Sequence, residues 1–170
     1  MNLRDALLEE HSKKQCDRIV RYIGDDPTKF DALMQLFFQD EYRITQRAAW
    51  PMSYCVKQYP ELVCPYIGKL LNNLQKPRLH DAVKRNTVRL FQGIKIPRKF
   101  HGKLMTTCFD FIQSNETAVA IKAFSLSILG NLSKQYPEIL PELNTIIKER
   151  WDLETAAFRS RARKIRKTGS

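Results

Sequence analysis

The sequence has no long hydrophobic run and little glycine. No stretch approaches the roughly 20 consecutive apolar residues that cross a bilayer, and the opening residues, MNLRDALLEEHSKK, lack the apolar core of a secretory signal peptide. Only 6 of the 170 residues are glycine and 43% are hydrophobic, which argues against a disordered chain. We therefore expect a soluble, cytoplasmic protein of one domain, residues 1–170, without a membrane span.

Cysteine and histidine are too sparse to suggest a metal or redox site. The four cysteines are separated by 39, 9 and 44 residues, which matches neither a zinc-ligand pattern nor a redox pair. They are Cys16, Cys55, Cys64 and Cys108. Each lies in an apolar stretch with helical character, so we expect four buried free thiols. The three histidines show no ligating spacing, and we predict neither a metal site nor a small-molecule cofactor.

The sequence also lacks the motifs of common catalytic sites. It contains no glycine-rich phosphate loop, no GxSxG turn and no zinc-binding signature. Its adjacent carboxylates, such as Asp25 and Asp26, fall at positions where simple solvation explains them. No catalytic residue is predicted, and a binding function is favoured over an enzymatic one.

Acidic residues are outnumbered, and much of the positive excess lies near the C-terminus. The chain has 29 Lys and Arg against 18 Asp and Glu, a formal net charge of +11. Residues 159–167, RSRARKIRK, hold six basic and no acidic residues, so the chain before Arg159 carries 11 − 6 = +5. Two interpretations stay open: this segment grips a polyanion such as a nucleic-acid backbone, or it is a solvated helix end that frays.

A word of five residues, KQYPE, occurs twice and marks the organisation of the chain. It begins at Lys57 and at Lys134, 77 residues apart, and apolar runs with helical spacing precede and follow each copy. Proline fits the first turn of a helix and disfavours helix in the residue before it, so each word predicts a junction between helices. Related junctions are predicted at Pro27 and Pro97. The spacing indicates a repeat built from one helix pair.

A basic residue recurs near the start of the second helix of each pair, with spacings of 38, 37 and 37 residues. We name these positions the basic ladder: Arg47, Arg85, Lys122 and Arg159. Seven residues before them stand Asp40, Arg78, Asn115 and Asp152. Three of those are good helix N-caps. The predicted helix pairs are 27–40 with 43–58, 61–76 with 79–94, 98–113 with 116–135, and 138–150 with 153–167. A helix over about 3–23 would cover the open end of the stack.

The helix pair resembles the HEAT repeat. The period of 37–38 residues, an Asp or Asn in the turn and an early Arg or Lys in the second helix carry the resemblance, in QDEYRITQRAAW, SNETAVAIKAFSL and ERWDLETAAFRSRAR. Over residues 27–167 it implies an all-α fold, a short right-handed, armadillo-like solenoid of about four helix pairs with an N-terminal cap helix. A compact helical bundle is the alternative architecture.

The resemblance also implies that the second helices line the concave face of the stack. The basic ladder is then a candidate site for an acidic protein or peptide, or for a nucleic-acid backbone. Neighbours that broaden the positive surface are Arg43, Arg89, Arg163 and Arg166. The alternative role is structural, because in HEAT proteins this residue often pairs with the acidic residue of the turn. Here that alternative predicts the pairs Asp40–Arg47 and Asp152–Arg159.

The two tryptophans resemble those of the HEAT-like DNA alkylation-repair glycosylases, which use a carboxylate beside aromatic residues in a groove. Here Tyr54 and Thr155 stand one turn after Trp50 and Trp151, so a matching carboxylate is missing. Trp50, followed by Pro51, is expected to be a core or groove residue at a helix kink.

The predicted function is that of a non-enzymatic helical-repeat scaffold, which engages an extended or acidic partner on a basic surface. The alternative is a DNA-binding protein related to the HEAT-like alkylation-repair glycosylases, with catalysis left open. Both hypotheses assign the contacts to the basic ladder, its basic neighbours and Trp50.

Overall fold

Helices account for all the regular secondary structure of the described residues. The computed structural model describes residues 1–38 and 41–168, and within these ranges it contains ten α-helices, three 3₁₀ segments and no β-strand. The α-helices are α1 (Leu3–Glu9), α2 (Lys13–Ile23), α3 (Pro27–Phe37), α4 (Tyr42–Gln58), α5 (Ile67–Asn73), α6 (Asp81–Phe91), α7 (His101–Gln113), α8 (Val119–Leu132), α9 (Leu140–Arg150) and α10 (Ala156–Thr168). The predicted all-α class is confirmed.

Contacts between Cα atoms divide the chain into two compact units. Unit 1 comprises residues 1–70 and 78–83, and unit 2 comprises residues 71–77 and 84–170. In unit 1, the helices α1, α2 and α3 contact one another and all three contact α4. In unit 2, α8 packs against both α7 and α10, and α7 also contacts α9. Within each unit the helices therefore bury their apolar faces against near neighbours in the chain, as expected for stacked helix pairs.

The N-terminal segment forms two helices where the sequence predicts one over 3–23. The helix breaks because Glu10 is extended and Ser12 begins a new helix, accepting a hydrogen bond on its side chain from the Gln15 backbone N–H at 3.1 Å. Gln15 then ties the two helices together, since its Nε2 donates to the Ala6 carbonyl at 2.6 Å. Ser12 is the signal in the sequence for this break.

Both copies of KQYPE form the same junction. Tyr59 and Tyr136 have similar backbone angles, with φ and ψ of −133° and 77° in the first and −127° and 68° in the second. The proline that follows begins a 3₁₀ segment, Pro60–Tyr66 or Pro137–Ile139, before the next α-helix. The predicted role of the word as a helix junction is confirmed.

Two second helices begin later than the sequence predicts. α8 begins at residue 119 instead of 116, and α10 begins at residue 156 instead of 153. The expected N-cap Asn115 is engaged elsewhere, because its Oδ1 accepts from the Arg150 guanidinium at 3.2 Å. At α10, Thr155 takes the place expected of Asp152, since its Oγ1 accepts from the Phe158 backbone N–H at 3.4 Å. Contacts between repeats have here overridden a local capping preference.

The buried core follows the apolar stripe of each helix. Four residues with the spacing of one helical face of α4 are completely buried: Ile44, Ala48, Met52 and Cys55. In α10 the buried stripe is Phe158, Ala162 and Ile165, at i, i+4 and i+7. The last helix is therefore anchored through its apolar side, although its sequence is dominated by Lys and Arg.

Three of the four cysteines are buried free thiols, as predicted, but Cys64 is exposed. It lies in the 3₁₀ segment Pro60–Tyr66, in which three residues complete a turn. Leu62 and Val63 take the inward positions of that segment, which leaves the Cys64 side chain outside. The prediction of a buried thiol is wrong at this position because it rested on the apolar character of the stretch and not on the side of the segment that the residue occupies.

Side-chain hydrogen bonds between distant residues connect each repeat to the next. Among the described residues these bonds join positions 31 to 40 residues apart, about one repeat. In unit 1, the Tyr66 hydroxyl donates to Asp31 at 2.5 Å, and in unit 2 the Gln75 amide donates to Thr107 Oγ1 at 2.9 Å. Such nearest-neighbour contacts are the behaviour expected of a repeat array.

Candidate functional site

Arg47, the first residue of the basic ladder, stabilises the end of a helix in unit 1. Its Nη1 donates to the carbonyl oxygens of Leu7 and Leu8 at 2.9 and 3.0 Å. These carbonyls belong to the last turn of α1, where unsatisfied acceptors and the helix dipole favour a cation. The predicted partner, Asp40, lies outside the described residues.

Lys122, the third ladder residue, is buried in an ion-pair cluster. It is 4% exposed, and its Nζ donates to Glu154 Oε1 at 2.8 Å. Arg150 donates to the same oxygen through Nε at 2.7 Å and to the Gln113 carbonyl at 3.0 Å. Burial raises the pKa of the Glu154 carboxyl, but the hydrogen bonds and charges of Lys122 and Arg150 outweigh burial and hold that pKa below its ordinary value of 4.5. The Lys122 ammonium is thus directed into the protein.

Arg159, the fourth ladder residue, binds the turn before its own helix. Its Nη1 donates to the carbonyl oxygens of Trp151 and Glu154 at 3.2 and 2.9 Å. The expected partner, Asp152, is exposed and makes no ion pair with any described residue. The structural alternative is therefore supported at three ladder positions, but with carbonyl groups and Glu154 in place of the turn aspartates.

Arg85 is the ladder residue that is exposed without a hydrogen bond or ion pair to any described residue. Arg89 lies one turn later on the same exposed face of α6. Both belong to a run that we name the basic segment, residues 84–103, which has seven Lys and Arg and no Asp or Glu. The seven are Lys84, Arg85, Arg89, Lys95, Arg98, Lys99 and Lys103.

The cations of the basic segment are mostly exposed and without ion pairs. Six of its seven cationic side chains are exposed, and none forms an ion pair with a described residue. Lys103 donates to Asn72, and the Lys99 ammonium lies 5.0 Å from the centroid of the Phe100 ring. The sequence analysis missed this segment because it compared only the C-terminal run with the rest of the chain. Counting charge in successive windows of the sequence finds it.

Unit 2 carries the net charge of the chain. Unit 1 contains 11 Lys and Arg and 11 Asp and Glu, so its formal charge is zero. Unit 2 contains 18 Lys and Arg against 7 Asp and Glu, and 18 − 7 accounts for the whole +11. An electrostatic attraction for anions is therefore a property of unit 2.

The Arg161 side chain of α10 is held by contacts within unit 2. Arg161 donates through Nε to Ser127 Oγ at 3.0 Å, and its guanidinium lies 5.5 Å from the Phe124 ring centroid. The helix extends to Thr168. α10 therefore presents its cations from a packed helix.

The remaining basic candidates are exposed on two helices. Arg43 lies on α4, and Arg163 and Arg166 lie on α10. The Arg163 guanidinium lies 5.4 Å from the centroid of the Trp151 ring. The structure therefore brings Arg163 and Arg166 into the same unit as Arg85 and leaves Arg43 in the neutral unit 1.

Trp50 packs against the turn between α1 and α2. Its ring meets His11 edge-on, with centroids 5.2 Å apart. The gap beside it measures about 10 Å³, which is too small for a nucleobase. The helix α4 continues through Pro51. Trp50 is therefore a packing residue of unit 1.

Two pockets flank the C-terminal half of α8. The apolar pocket, of about 440 Å³, is bordered by α8, by the end of α6 and by the segment that precedes α7. Its apolar wall consists of Phe91, Ile94, Ile96, Leu104, Ile128 and Leu132. The polar pocket, of about 430 Å³, lies between α8 and α10 and is lined mainly by polar and basic groups of Ser127, Asn131, Lys134, Ser160, Arg161 and Lys164. No described Asp or Glu lines either pocket.

His101, beside the apolar pocket, holds the chain around it. Its Nε2–H donates to the Ile96 carbonyl at 2.8 Å, which leaves Nδ1 to accept from the Tyr136 hydroxyl at 2.9 Å. Tyr136 is the tyrosine of the second KQYPE word. Both ring nitrogens of this buried histidine are thus engaged within the protein.

Residues 1–38 and 41–168 contain no group of three or more His, Cys, Asp and Glu that could hold a metal ion. No helix in these ranges is long and apolar enough to cross a membrane.

Comparison with known proteins identifies a family. No curated protein and no solved structure matches the chain. A family model for the HEAT repeat domain matches residues 3–168, from the first residue of α1 to the last of α10. This match agrees with the all-helical structure and with the hydrogen bonds that connect residues about one repeat apart. The chain therefore belongs to the HEAT repeat family.

Proposed function

We propose that this HEAT repeat protein is a non-enzymatic scaffold that binds an acidic protein segment on the surface of unit 2. The basic segment carries the proposal, because six of its cationic side chains are exposed and none has an ion-pair partner among the described residues. Stacked helix pairs offer an extended, rigid surface without chemistry of their own.

Electrostatics favours contact through unit 2. Cations without an ion-pair partner among the described residues raise the local potential, which speeds encounter with an acidic partner and disfavours basic ones. The contact residues we assign are Arg85, Arg89, Arg98 and Lys99. Unit 1 has no net charge and offers no comparable attraction.

DNA binding, the alternative function, has less support. Arg47, Lys122 and Arg159 direct their charges into the protein, so the basic ladder offers no continuous row of contacts for phosphates. Proteins that bind single-stranded nucleic acid usually add aromatic platforms. The exposed large hydrophobic residues of the described chain are Met1, Tyr42, Val119 and Leu153, and none lies in the basic segment.

The proposal is tested by the affinity of the full chain for fluorescein-labelled polyglutamate, measured by fluorescence anisotropy at low and moderate salt. Replacing the four assigned residues by Ala together is expected to weaken binding by at least about tenfold, or ~1.4 kcal/mol. The matched control removes four exposed cations of unit 1: Lys14, Arg21, Arg43 and Lys57. It lowers the net charge equally and is expected to change the affinity little.

Two results would contradict the proposal. Equal weakening by both quadruple variants would mean that only the net charge of the chain matters. Tighter binding to duplex DNA or single-stranded RNA than to polyglutamate, at the same salt concentration, would favour the nucleic-acid alternative. In that case, release of methylated purine from alkylated DNA is the assay that decides whether the protein is an enzyme.

A further inference from the structure

We propose that the apolar pocket and the polar pocket bind one acidic peptide together, with a bulky apolar side chain in the first and a carboxylate in the second. This inference rests on the proposed function and specifies which acidic segments the scaffold accepts. It assigns the specificity of unit 2 to α8, while the basic segment supplies general attraction.

The apolar pocket has the dimensions and lining of a side-chain receptor. Its volume of about 440 Å³ lies within the usual range of ligand pockets, ~300–1,000 Å³. Its wall is built from the six apolar residues named above. Burying a Leu or Phe side chain there removes apolar surface from water, which is the main source of affinity in such pockets.

Charge complementarity selects an acidic peptide as the occupant. Lys95 and Arg98 of the basic segment line the apolar pocket, and both are exposed. Lys134, Arg161 and Lys164 line the polar pocket. Because no described carboxylate lines either pocket, a basic peptide would meet only like charge.

Arg161 is already oriented at the polar pocket. Its Nε bond to Ser127 and its position over Phe124 hold the guanidinium in place before any ligand arrives. Binding of a carboxylate there therefore costs less conformational entropy than binding to an arginine side chain that is free to rotate. The hydroxyl of Ser160 and the amide of Asn131 add neutral hydrogen-bonding groups.

The two pockets lie on adjacent sides of α8, and Asn131 lines both. The polar pocket is lined by Ser127, Gly130, Asn131 and Lys134. The apolar pocket is lined by Ile128, Asn131, Leu132 and Gln135. Within α8 each set has the i, i+3, i+4 spacing of one helix face, and Lys134 and Gln135 lie in the turn that follows α8. A helix with side chains is ~10 Å across, and an extended peptide advances ~3.3 Å per residue, so the apolar anchor and the carboxylate should be separated by about three to four residues.

The test compares short labelled peptides of identical net charge against the full chain by fluorescence anisotropy. The reference peptide contains one Leu with a Glu three or four residues away, and all its Asp residues stand at least six residues from the Leu. A second peptide has Ser in place of Leu, and a third carries the Leu next to the Glu. The reference is expected to bind at least about tenfold more tightly than the Ser peptide, because a buried Leu is worth at least that ratio. The third is expected to lose most of this advantage.

Protein variants locate the effect. Ile94→Asp introduces a charge into the apolar pocket, and Gln135→Trp fills it from its exposed rim. Both are expected to remove the preference for the Leu peptide. Ile139→Asp, at another half-buried isoleucine outside both pockets, is the control for the first. Lys134→Glu and Lys148→Glu form a second matched pair, since both residues are exposed in unit 2 and only Lys134 lines a pocket. Lys134→Glu is expected to weaken binding of the reference peptide more than Lys148→Glu does.

The outcomes separate this inference from the proposed function. If all three acidic peptides bind with equal affinity, the pocket inference is overturned while binding of an acidic partner stands. If none of them binds, the proposed function fails as well. Equal effects of Gln135→Trp on the Leu and Ser peptides, or of Lys134→Glu and Lys148→Glu on the reference peptide, would also overturn the inference. Circular dichroism and thermal melting of each variant verify that it is folded.

Discussion

Four basic residues recur at the same place in successive repeats, and each has a different environment. Arg47 binds carbonyl groups at the end of α1, Lys122 is buried against Glu154, and Arg159 binds the turn before α10. Arg85 is exposed without a described partner. The repeat sets the position of each basic residue along the chain, but the acceptors within its reach differ because the turns and neighbouring helices differ in sequence.

At the residue scale, we expect one cysteine to react with thiol reagents in the folded protein. Burial raises the pKa of the Cys16 thiol to about 11 and those of Cys55 and Cys108 to about 12. The thiolate is the reactive form, so these three react only when the chain opens, whereas Cys64 is exposed. Titration with Ellman's reagent at pH 8 should show one fast thiol per chain, and Cys64→Ser should abolish it. Two or more fast thiols would contradict the packing described for the buried three.

The second residue-scale prediction concerns the close approach of α8 and α10. A Cβ placed on Gly130 would lie 2.9 Å from Ile165 Cγ1, inside normal contact distance. The steric conflict costs ~1–3 kcal/mol, against the ~1 kcal/mol that Ala gains over Gly in a helix, so Gly130→Ala is expected to destabilise the protein by up to ~2 kcal/mol. The measurement is urea unfolding at neutral pH.

An Ile165→Ala background provides the control for this prediction. Once the Ile165 side chain is removed, the steric conflict is absent and only helix propensity remains. Gly130→Ala should then stabilise the chain, so the sign of its effect reverses. Destabilisation of the same size in both backgrounds would show that the contact between Gly130 and Ile165 is not the cause.

At the scale of helices, the cluster of Lys122, Arg150 and Glu154 joins α8, α9 and the turn before α10. The carboxylate accepts hydrogen bonds from both cations while being 7% exposed. Removing one member of a buried cluster leaves a charge without compensation, which is far more damaging than removing an exposed ion pair. The cluster therefore fixes the register between these elements.

The element-scale prediction is that Glu154→Gln destabilises the protein by ~3 kcal/mol at pH 7, because Lys122 loses its counter-charge. The double variant Lys122→Met with Glu154→Gln should recover most of the loss, since no ammonium is then buried. Both values come from urea unfolding. A double variant as unstable as Glu154→Gln alone would mean that the charge on Lys122 is not the cause.

The effect of Glu154→Gln on the free energy of unfolding is expected to depend on pH. The pKa of Glu154 in the folded protein is lower than its ordinary 4.5, so its stabilising contribution is complete above about that pH and is lost as pH falls through the lower, folded value. The stability difference between the native protein and Glu154→Gln should therefore shrink below pH 4.5. A difference that is constant from neutral to acidic pH would contradict the assignment.

At the scale of the whole molecule, charge divides between the two units. Unit 1 is formally neutral and unit 2 carries +11. Unit 2 therefore contains self-repulsion that unit 1 lacks, and dissolved salt weakens such repulsion with a screening length of ~10 Å at 0.1 M.

The corresponding prediction is that moderate salt slows amide hydrogen exchange in α7–α10 more than in α1–α4. Mass spectrometry of exchanged peptides measures both regions in one sample. Sucrose, which favours compact states without screening charge, serves as the control and should slow exchange in both regions. Equal slowing of both regions by salt would show that the charge division does not affect stability.

Helix positions and repeat period were predictable because they depend on local spacing. The two KQYPE words, the apolar stripe of α4 and the all-α class follow from 3.6-residue periodicity and from the effect of proline on its neighbours. Errors arose where every residue of an apolar stretch was expected to be buried, as at Cys64, or where a distant residue competes for a cap, as Arg150 does for Asn115.

The sequence by itself determined the family, the repeat and the excess of positive charge, because composition and period are properties of the linear chain. Only the tertiary structure decided which cations are available. Lys122 and Arg85 occupy equivalent places in the sequence pattern, yet one is buried beside Glu154 and the other is exposed. The pockets beside α8 were equally hidden, since they are formed by residues from 91 to 165 whose proximity depends on how the helices pack. Charge is a property of a residue, but its availability is a property of the neighbours that folding brings to it.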